Sequence, residues 1–293
     1  MPTQAGDMPA AAPAPQASTA PVQYDSNPFI ATLSALAKVI TVNPFSALLI
    51  VLTFVGVVVG LFIIVGILGA VLGKAGVLAP ILIVLIYLFA VPTLTGALAS
   101  LYLHSAEDKK LGTFELIQLG ISKMFPLLGL IILTGLVVGL GFLLFIIPGL
   151  IFAAWFSLSV YAMMDENLGP IAAMKRSKSL VKGHVWEIFG SMFSTSLLGS
   201  SGLLAPAVAS SGLGARYTQL TALKASGQPS PKVHWTNYAL PLLGIVFIVG
   251  YFALVSLSVL SGVQQVQRKS LQVQSQVQQQ QDLFNSNNNI PSQ

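Results

Sequence analysis

The sequence predicts an all-α protein, a polytopic bundle of about six transmembrane helices in three hairpins with interfacial amphipathic helices. Of its 293 residues, 54% are hydrophobic and only 8% are charged, whereas soluble domains carry about 25% charged residues. Six apolar runs approach the length of about 20 residues that crosses a hydrocarbon core. These runs are apolar on all sides and lack the short alternating segments of a transmembrane β-barrel, so we expect helices.

The six runs fall into three successive pairs. Pro148-Gly149 separates the third run from the fourth and is the predicted turn of the second hairpin. The fourth run has only 15 residues, so it either extends past Asp165 or forms one arm of a re-entrant hairpin. The fifth is rich in Ser and Gly and contains Pro206, which predicts a distorted helix. In chain order the runs are 46–72, 77–103, 126–147, 150–164, 191–213 and 240–260.

Polar tails flank the predicted membrane domain, residues 29–263. The Ala/Pro-rich segment 1–28 lacks the features of a signal peptide and is predicted to be disordered. The Gln/Asn-rich segment 264–293 favours a disordered polar tail. A helix continuing from the last span and self-associating is the alternative, since valines in the tail recur at heptad spacing.

The placement of Lys and Arg predicts the orientation of the spans, because cytoplasmic loops carry an excess of these residues. With a cytoplasmic N-terminus and six spans, both termini are cytoplasmic. Four cations, Lys74, Arg216, Lys224 and Lys232, then lie outside. Ten lie inside: Lys38, Lys109, Lys110, Lys123, Lys175, Arg176, Lys178, Lys182, Arg268 and Lys269.

A short, partly amphipathic stretch with lysine precedes each pair of spans, at 28–44, 113–126 and 169–190. In the last, one apolar face carries Ile171, Met174, Val181, Val185 and Ile188. The other face is basic and predicts contact of Lys175, Arg176, Lys178 and Lys182 with anionic inner-leaflet headgroups. The alternative is that these charges only follow the orientation rule.

The sequence offers little for catalysis. There is no cysteine, so thiolate chemistry is excluded. The stretch around Lys74 has the spacing GxxxGK and lacks the Ser/Thr of a phosphate-binding loop. His184 and Glu187 form HxxE, which is not a zinc motif. We therefore predict no catalytic residue, cofactor, metal or nucleic-acid partner.

Small residues in the runs leave two alternatives open. Gly56 and Gly60, and Gly135 and Gly139, have the GxxxG spacing that lets helix backbones approach closely. Packing within one bundle is the favoured interpretation, and homo-oligomerisation is the alternative. Hydroxyls between Ser194 and Ser211 either line a polar path or bond to their own helix.

The stretch 146–190 resembles a pattern in bacterial membrane proteins. The matching features are Pro148-Gly149, an aromatic span, Asp165-Glu166, Gly169-Pro170 and a set of single positions: Ala173, Ser177, Leu180, Gly183, Trp186 and Phe189-Gly190. Families with this pattern include the YciC-like inner-membrane proteins and the membrane domain of some glycerophosphodiester phosphodiesterases. The resemblance implies a six-helix domain in the bacterial cytoplasmic membrane, without catalysis.

The expected role is therefore a non-enzymatic membrane protein that binds lipids or acts as a partner-binding scaffold. Its expected partners are anionic headgroups, a second copy of the chain or another membrane protein. The alternative is a transporter or permease component for an uncharged or amphipathic solute, motivated by the Ser/Gly-rich fifth run.

Overall fold

A computed structural model describes residues 24–72, 78–200 and 205–288. Within these ranges the chain forms helices and no strand, which confirms the all-α prediction. The helices are α1 (Pro28–Val42), α2 (Pro44–Leu72), α3 (Leu78–Ala106), α4 (Thr113–Ser122), α5 (Met124–Leu144), α6 (Ile146–Phe156), α7 (Ser159–Asp165), α8 (Pro170–Val181), α9 (Val185–Gly199), α10 (Ala205–Ser226) and α11 (Thr236–Asn288).

The chain divides into two units, one ending at Pro241 and one beginning at Leu242. The second unit is the remainder of α11, which continues without a break through the apolar run and the Gln-rich segment to Asn288. Residues 264–288 are therefore helical, as in the alternative interpretation of the tail. Of the N-terminal tail, residues 1–23 lie outside the described residues, and 24–27 lead into α1.

Within the described residues, three segments are long and apolar enough to cross a bilayer. They are Leu88–Ala106 of α3, the whole of α5, and Ile146–Asp165, which joins α6 and α7. A fourth is available if α1 and the first half of α2, which are bent by 108° at Asn43, are taken as one broken span. Several apolar helices are thus suited to a membrane.

The second predicted hairpin is formed by α5 and α6, but its turn lies at Phe145, before Pro148-Gly149. Phe145 is extended (φ −161°, ψ 154°), and both predicted turn residues belong to the first turns of α6. Gly149 instead allows close packing, since a Cβ there would lie 2.5 Å from the Phe142 ring. The fourth run extends to Asp165 through a break near Ser157, which brings the segment to 20 residues.

The elbow between α1 and α2 is fixed by Asn43, which precedes Pro44 and therefore disfavours a continuous helix. The Asn43 amide donates to Ser105 Oγ (2.8 Å) and to the Lys109 carbonyl (3.0 Å). It also accepts from the Leu111 N–H (3.1 Å). The Asn43 side chain is buried, and these three hydrogen bonds tie the elbow to the end of α3 and the loop that follows it.

The predicted fifth span, 191–213, is not a single helix. It is divided between α9 and α10, which pack antiparallel: Ser191 contacts Arg216, and a Cβ on Gly212 would meet the Thr195 methyl group at 2.1 Å. Near the other end, a Cβ on Gly199 would lie 3.4 Å from the Ala205 Cα. The chain therefore turns back on itself within the predicted span, and α1 packs against both arms.

Helix α10 is surrounded by protein on most of its length. It packs against α1, α3, α7, α8 and α9, and small residues allow these close approaches. A Cβ on Gly214, for example, would lie 2.3 Å from the Tyr102 ring. Because protein covers most of α10, the helix needs no continuous apolar surface, which explains its modest hydropathy.

In the described structure, the predicted glycine pairs do not lie at close contacts between helices. A Cβ at Gly56, Gly60, Gly135 or Gly139 would meet no described atom within 4 Å. The structure thus shows no packing of these glycines within the bundle, and their role in association remains a prediction. One close approach to backbone lies between α3 and α4, where a Cβ on Gly120 would lie 2.2 Å from the Thr93 carbonyl oxygen.

Gly120→Ala should destabilise the protein, because the added methyl meets backbone that cannot move away alone. Overpacking of this kind costs about 1–3 kcal/mol, which outweighs the gain of roughly 1 kcal/mol in helix propensity. Thermal unfolding in mild detergent measures the effect. Gly135→Ala is the matched control, with open space around the position, and should leave stability unchanged or higher; equal losses would contradict the α3–α4 contact.

Candidate functional site

The predicted basic helix is α8, but its apolar side faces protein rather than lipid. Ala173, Met174, Ser177, Leu180 and Val181 are all buried, and α8 packs against α5, α6, α7 and α10. Most of the predicted apolar face therefore packs in protein, although Ile171 is 61% exposed. Contact of α8 with headgroups remains a prediction.

The four predicted headgroup residues differ in their surroundings. Lys175, Lys178 and Lys182 are exposed. Arg176 is half-buried and forms an ion pair with Glu166, with Nε 2.6 Å from Oε1. Lys178 places its ammonium 4.2 Å from the centre of the Trp155 ring on α6, a favourable cation–π geometry.

Lys224, at the end of α10, joins this surface. Its ammonium donates to the Ser179 carbonyl on α8, and partial burial, followed by the nearby Arg176 and Lys182, lowers the pKa of Lys224. The orientation rule had placed Lys224 on the opposite side of the membrane. We call Lys175, Lys178, Lys182 and Lys224 the basic face.

A second connection fixes α10 to the start of the basic segment. The Tyr217 hydroxyl donates to Asp165 Oδ2 at 2.6 Å and lies 3.3 Å from Glu166 Oε1. Burial and these two carboxylates raise the pKa of Tyr217, so its hydroxyl stays protonated and remains a donor. The Asp165-Glu166 pair thus orients α8 and α10 through Tyr217 and Arg176.

A buried polar centre, not predicted from the sequence, surrounds Arg216 on α10. The Arg216 side chain is fully buried. Its Nε donates to Ser191 Oγ (2.7 Å), and its Nη1 donates to the Asp25 carbonyl (2.7 Å) and to Gln219 Oε1 (3.0 Å). The guanidinium also lies 5.6 Å from the centre of the Tyr24 ring. One cation thereby joins α9, α10 and the segment before α1.

Glu187 on α9 is the acidic member of this centre. It is 1% exposed, and its Oε1 lies 3.3 Å from His184 Nδ1. Burial raises the pKa of Glu187 to about 7, although the positive charge of Arg216 acts in the opposite direction. Burial, and then Lys224 and Arg216, lower the pKa of His184.

Three polar atoms of this centre are buried without a hydrogen-bond partner among the described residues: Arg216 Nη2, Glu187 Oε2 and the Tyr24 hydroxyl. Such atoms are normally satisfied by polar groups or internal water. In the part of the chain that the structure describes, no three His, Asp or Glu side chains group as metal ligands.

Sequence reasoning missed the centre because it placed Glu187 inside and Arg216 outside. The available signal was an arginine only three residues beyond an apolar, Ser/Gly-rich run. A charged residue so close to a predicted span is commonly paired with other protein groups. The position of Arg216 therefore counted against placing it in a simple external loop.

Residues 84–201 match the model of an uncharacterised protein family, UPF0259. A UPF0259 membrane protein of Sodalis glossinidius is 36% identical over 87 residues, 30% of this chain and 35% of the relative. One from Yersinia pestis is 32% identical over 99 residues, 34% of this chain and 39% of the relative. Another from Yersinia pseudotuberculosis gives the same values. No solved structure matches the chain.

These similarities support the expected resemblance to bacterial membrane proteins. The matched descriptions name neither the YciC-like proteins nor the phosphodiesterase membrane domain, and they assign no activity. The matched stretch includes α8 and Glu187, whereas Arg216 lies beyond it. The alignments cover little more than a third of each relative's length.

Arg216→Gln should destabilise the protein by roughly 3 kcal/mol or more, because it leaves a buried network with missing partners. Thermal unfolding in detergent measures the loss. Arg176→Gln is the matched control, since it breaks a half-exposed ion pair and should cost no more than about 1 kcal/mol. Similar losses in the two variants would contradict the importance of the Arg216 centre.

Glu187→Gln should stabilise the protein above pH 7. The folded protein keeps the Glu187 proton up to about pH 7, whereas an unfolded glutamate loses it near pH 4.3. The free energy of unfolding therefore falls as pH rises between these values, and the neutral amide removes this cost, by at most about 4 kcal/mol.

Melting temperatures of parent and variant, compared at pH 5 and pH 8, measure this difference. The variant's advantage should be larger at pH 8. Glu115→Gln, at an exposed carboxyl, is the control and should show no such gain. An advantage that does not change with pH would count against a raised Glu187 pKa.

Proposed function

We propose that this protein is a non-enzymatic, multi-pass protein of the bacterial cytoplasmic membrane that binds anionic phospholipid headgroups through its basic face. The clustering of four lysines on one surface carries the proposal. Lys175, Lys178 and Lys182 of α8 are exposed, and Lys224 of α10 donates to the Ser179 carbonyl on α8. Such a cluster of cations next to apolar helices attracts anionic headgroups.

The rigidity of the basic face supports this function. Its lysines project from helices whose other sides are packed in protein, so binding costs little backbone conformational entropy. Each lysine near an anionic surface contributes about 1 kcal/mol. Arg176 is paired with Glu166 and contributes mainly by holding α8 in place.

The proposed orientation places the basic face and the segment before α1 in the cytoplasm. Lys38 of α1 contacts the loop after α3, which supports placing α1 and this loop on one side: its ammonium donates to the Ala106 carbonyl (2.8 Å) and to Asp108 (3.1 Å). Lys109 and Lys110 follow directly. This concentration of cations matches the rule for cytoplasmic loops.

The described hydroxyls of the fifth run give less support to the transport alternative. Ser194, Thr195 and Ser210 each donate to a carbonyl of their own helix. A groove of about 500 Å³ between α2, α3 and α4 is lined almost entirely by apolar side chains, including Val57, Leu94 and Ile121. It suits an acyl chain better than a polar solute, so these observations favour lipid binding.

Replacing Lys175, Lys178 and Lys182 together by Gln should weaken binding of phosphatidylglycerol to the full-length protein by about a hundredfold, at about 1 kcal/mol per lysine. Native mass spectrometry during lipid titration in mild detergent measures bound lipid. Binding of zwitterionic phosphatidylcholine should not change.

The matched control replaces Lys109, Lys110 and Lys232, three exposed lysines outside the basic face, by Gln. It removes the same charge and should retain most phosphatidylglycerol affinity. Equal affinities of the parent and the first variant would refute headgroup binding by this face. Equal losses in both variants would show a general charge effect without a defined site.

A further inference from the structure

The ends of the α9–α10 hairpin lie on the same side of the molecule. At its beginning, His184 Nε2 lies 3.3 Å from Ser230 Oγ, beyond the end of α10. Lys224, near the end of α10, donates to Ser179 just before α9. The loops before and after the hairpin are therefore neighbours.

The same side also carries the N-terminal segment and the start of α11. The Asn237 amide donates to the Ser26 carbonyl at 2.8 Å. A Cβ on Gly190 would lie 2.8 Å from the Asn237 Cα. Had residues 191–213 crossed the membrane once, Ser26 and Asn237 would lie on opposite sides of it, and this contact could not form.

The arms of the hairpin do not suit two complete crossings. Helix α9 has 15 residues, which span about 22 Å at 1.5 Å per residue, short of the roughly 30 Å of a hydrocarbon core. Helix α10 has 22 residues but holds the buried Arg216 and is enclosed by other helices. Irregular or polar backbone at membrane depth is tolerated only where protein covers it.

An aromatic patch lies at the open end of the hairpin. Trp186, at the start of α9, packs against Tyr238, at the start of α11, with ring centres 5.4 Å apart. Both are substantially exposed, as is Trp235, which is 68% exposed. Tryptophan and tyrosine with one apolar and one polar end are typical of the headgroup layer, so lipid is the partner that fits this patch.

We infer that α9 and α10 form a re-entrant hairpin that enters and leaves the bilayer from the cytoplasmic side, with Trp186, Trp235 and Tyr238 anchored in the headgroup layer of that leaflet. Arg216 is buried inside the hairpin. Of the other eleven Lys and Arg residues before residue 236, ten then lie on the cytoplasmic side, and Lys74 lies opposite in the predicted topology. The six-span arrangement gives only eight against three. The hairpin therefore fits the orientation rule better.

The prediction that both termini are cytoplasmic depended on six crossings, one of which was residues 191–213. If this segment does not cross the membrane, the number of crossings no longer supports that prediction.

Single-cysteine labelling tests the hairpin directly, because the parent chain has no cysteine. The full-length variants Glu107→Cys, Ala75→Cys, Gln228→Cys and Ser200→Cys are exposed to a membrane-impermeant maleimide in right-side-out and in inverted vesicles. Glu107 reports the cytoplasmic side, and Ala75 reports the opposite side in the predicted topology. Labelling in dissolved membranes shows that each cysteine is reactive.

The re-entrant hairpin predicts that Gln228→Cys labels in inverted vesicles, together with Glu107→Cys, and that Ser200→Cys is not labelled in right-side-out vesicles. Labelling of Gln228→Cys together with Ala75→Cys would restore a single crossing and overturn the inference. Labelling of Ser200→Cys in right-side-out vesicles would show two complete crossings, and would also overturn it.

Discussion

Burial of a guanidinium in the central helix is the constraint on which the arrangement of this protein depends. Arg216 is fully buried, and an unsolvated cation is stable only when hydrogen bonds surround it. Ser191 and the Asp25 carbonyl provide these bonds, so α9 and the segment before α1 must both meet α10. The antiparallel hairpin and the position of α1 against it follow from this need.

The apolar runs could be predicted because lipid imposes a simple demand on sequence: about 20 apolar residues for each crossing. The runs in α3, α5 and the joined α6–α7 segment match this demand. The basic side of α8 was also predictable, since Lys175, Lys178 and Lys182 recur at helical spacing. What covers the apolar side of α8 could not be predicted, because periodicity identifies a buried face without showing whether protein or lipid covers it.

Other features depend on contacts between residues far apart in the chain, and they could not be predicted from the sequence. The run 191–213 has the length and composition of a span, yet Gly212 packs against Thr195 in an antiparallel hairpin. GxxxG spacing identified Gly135 and Gly139, whereas one of the observed close approaches occurs at Gly120, where α3 supplies a matching surface. A pattern within one helix cannot indicate which partner helix completes the contact.

The hairpin brings the cations of α8 and α10 to one surface, and the proposed lipid function depends on that juxtaposition. Its most direct test is a crosslink between Ser179→Cys and Lys224→Cys, formed by a short bismaleimide in native membranes. The account predicts an intramolecular crosslink, because Lys224 reaches the Ser179 carbonyl. Absence of the crosslink, with both cysteines reactive towards monomaleimide, would place the two residues apart and contradict the account.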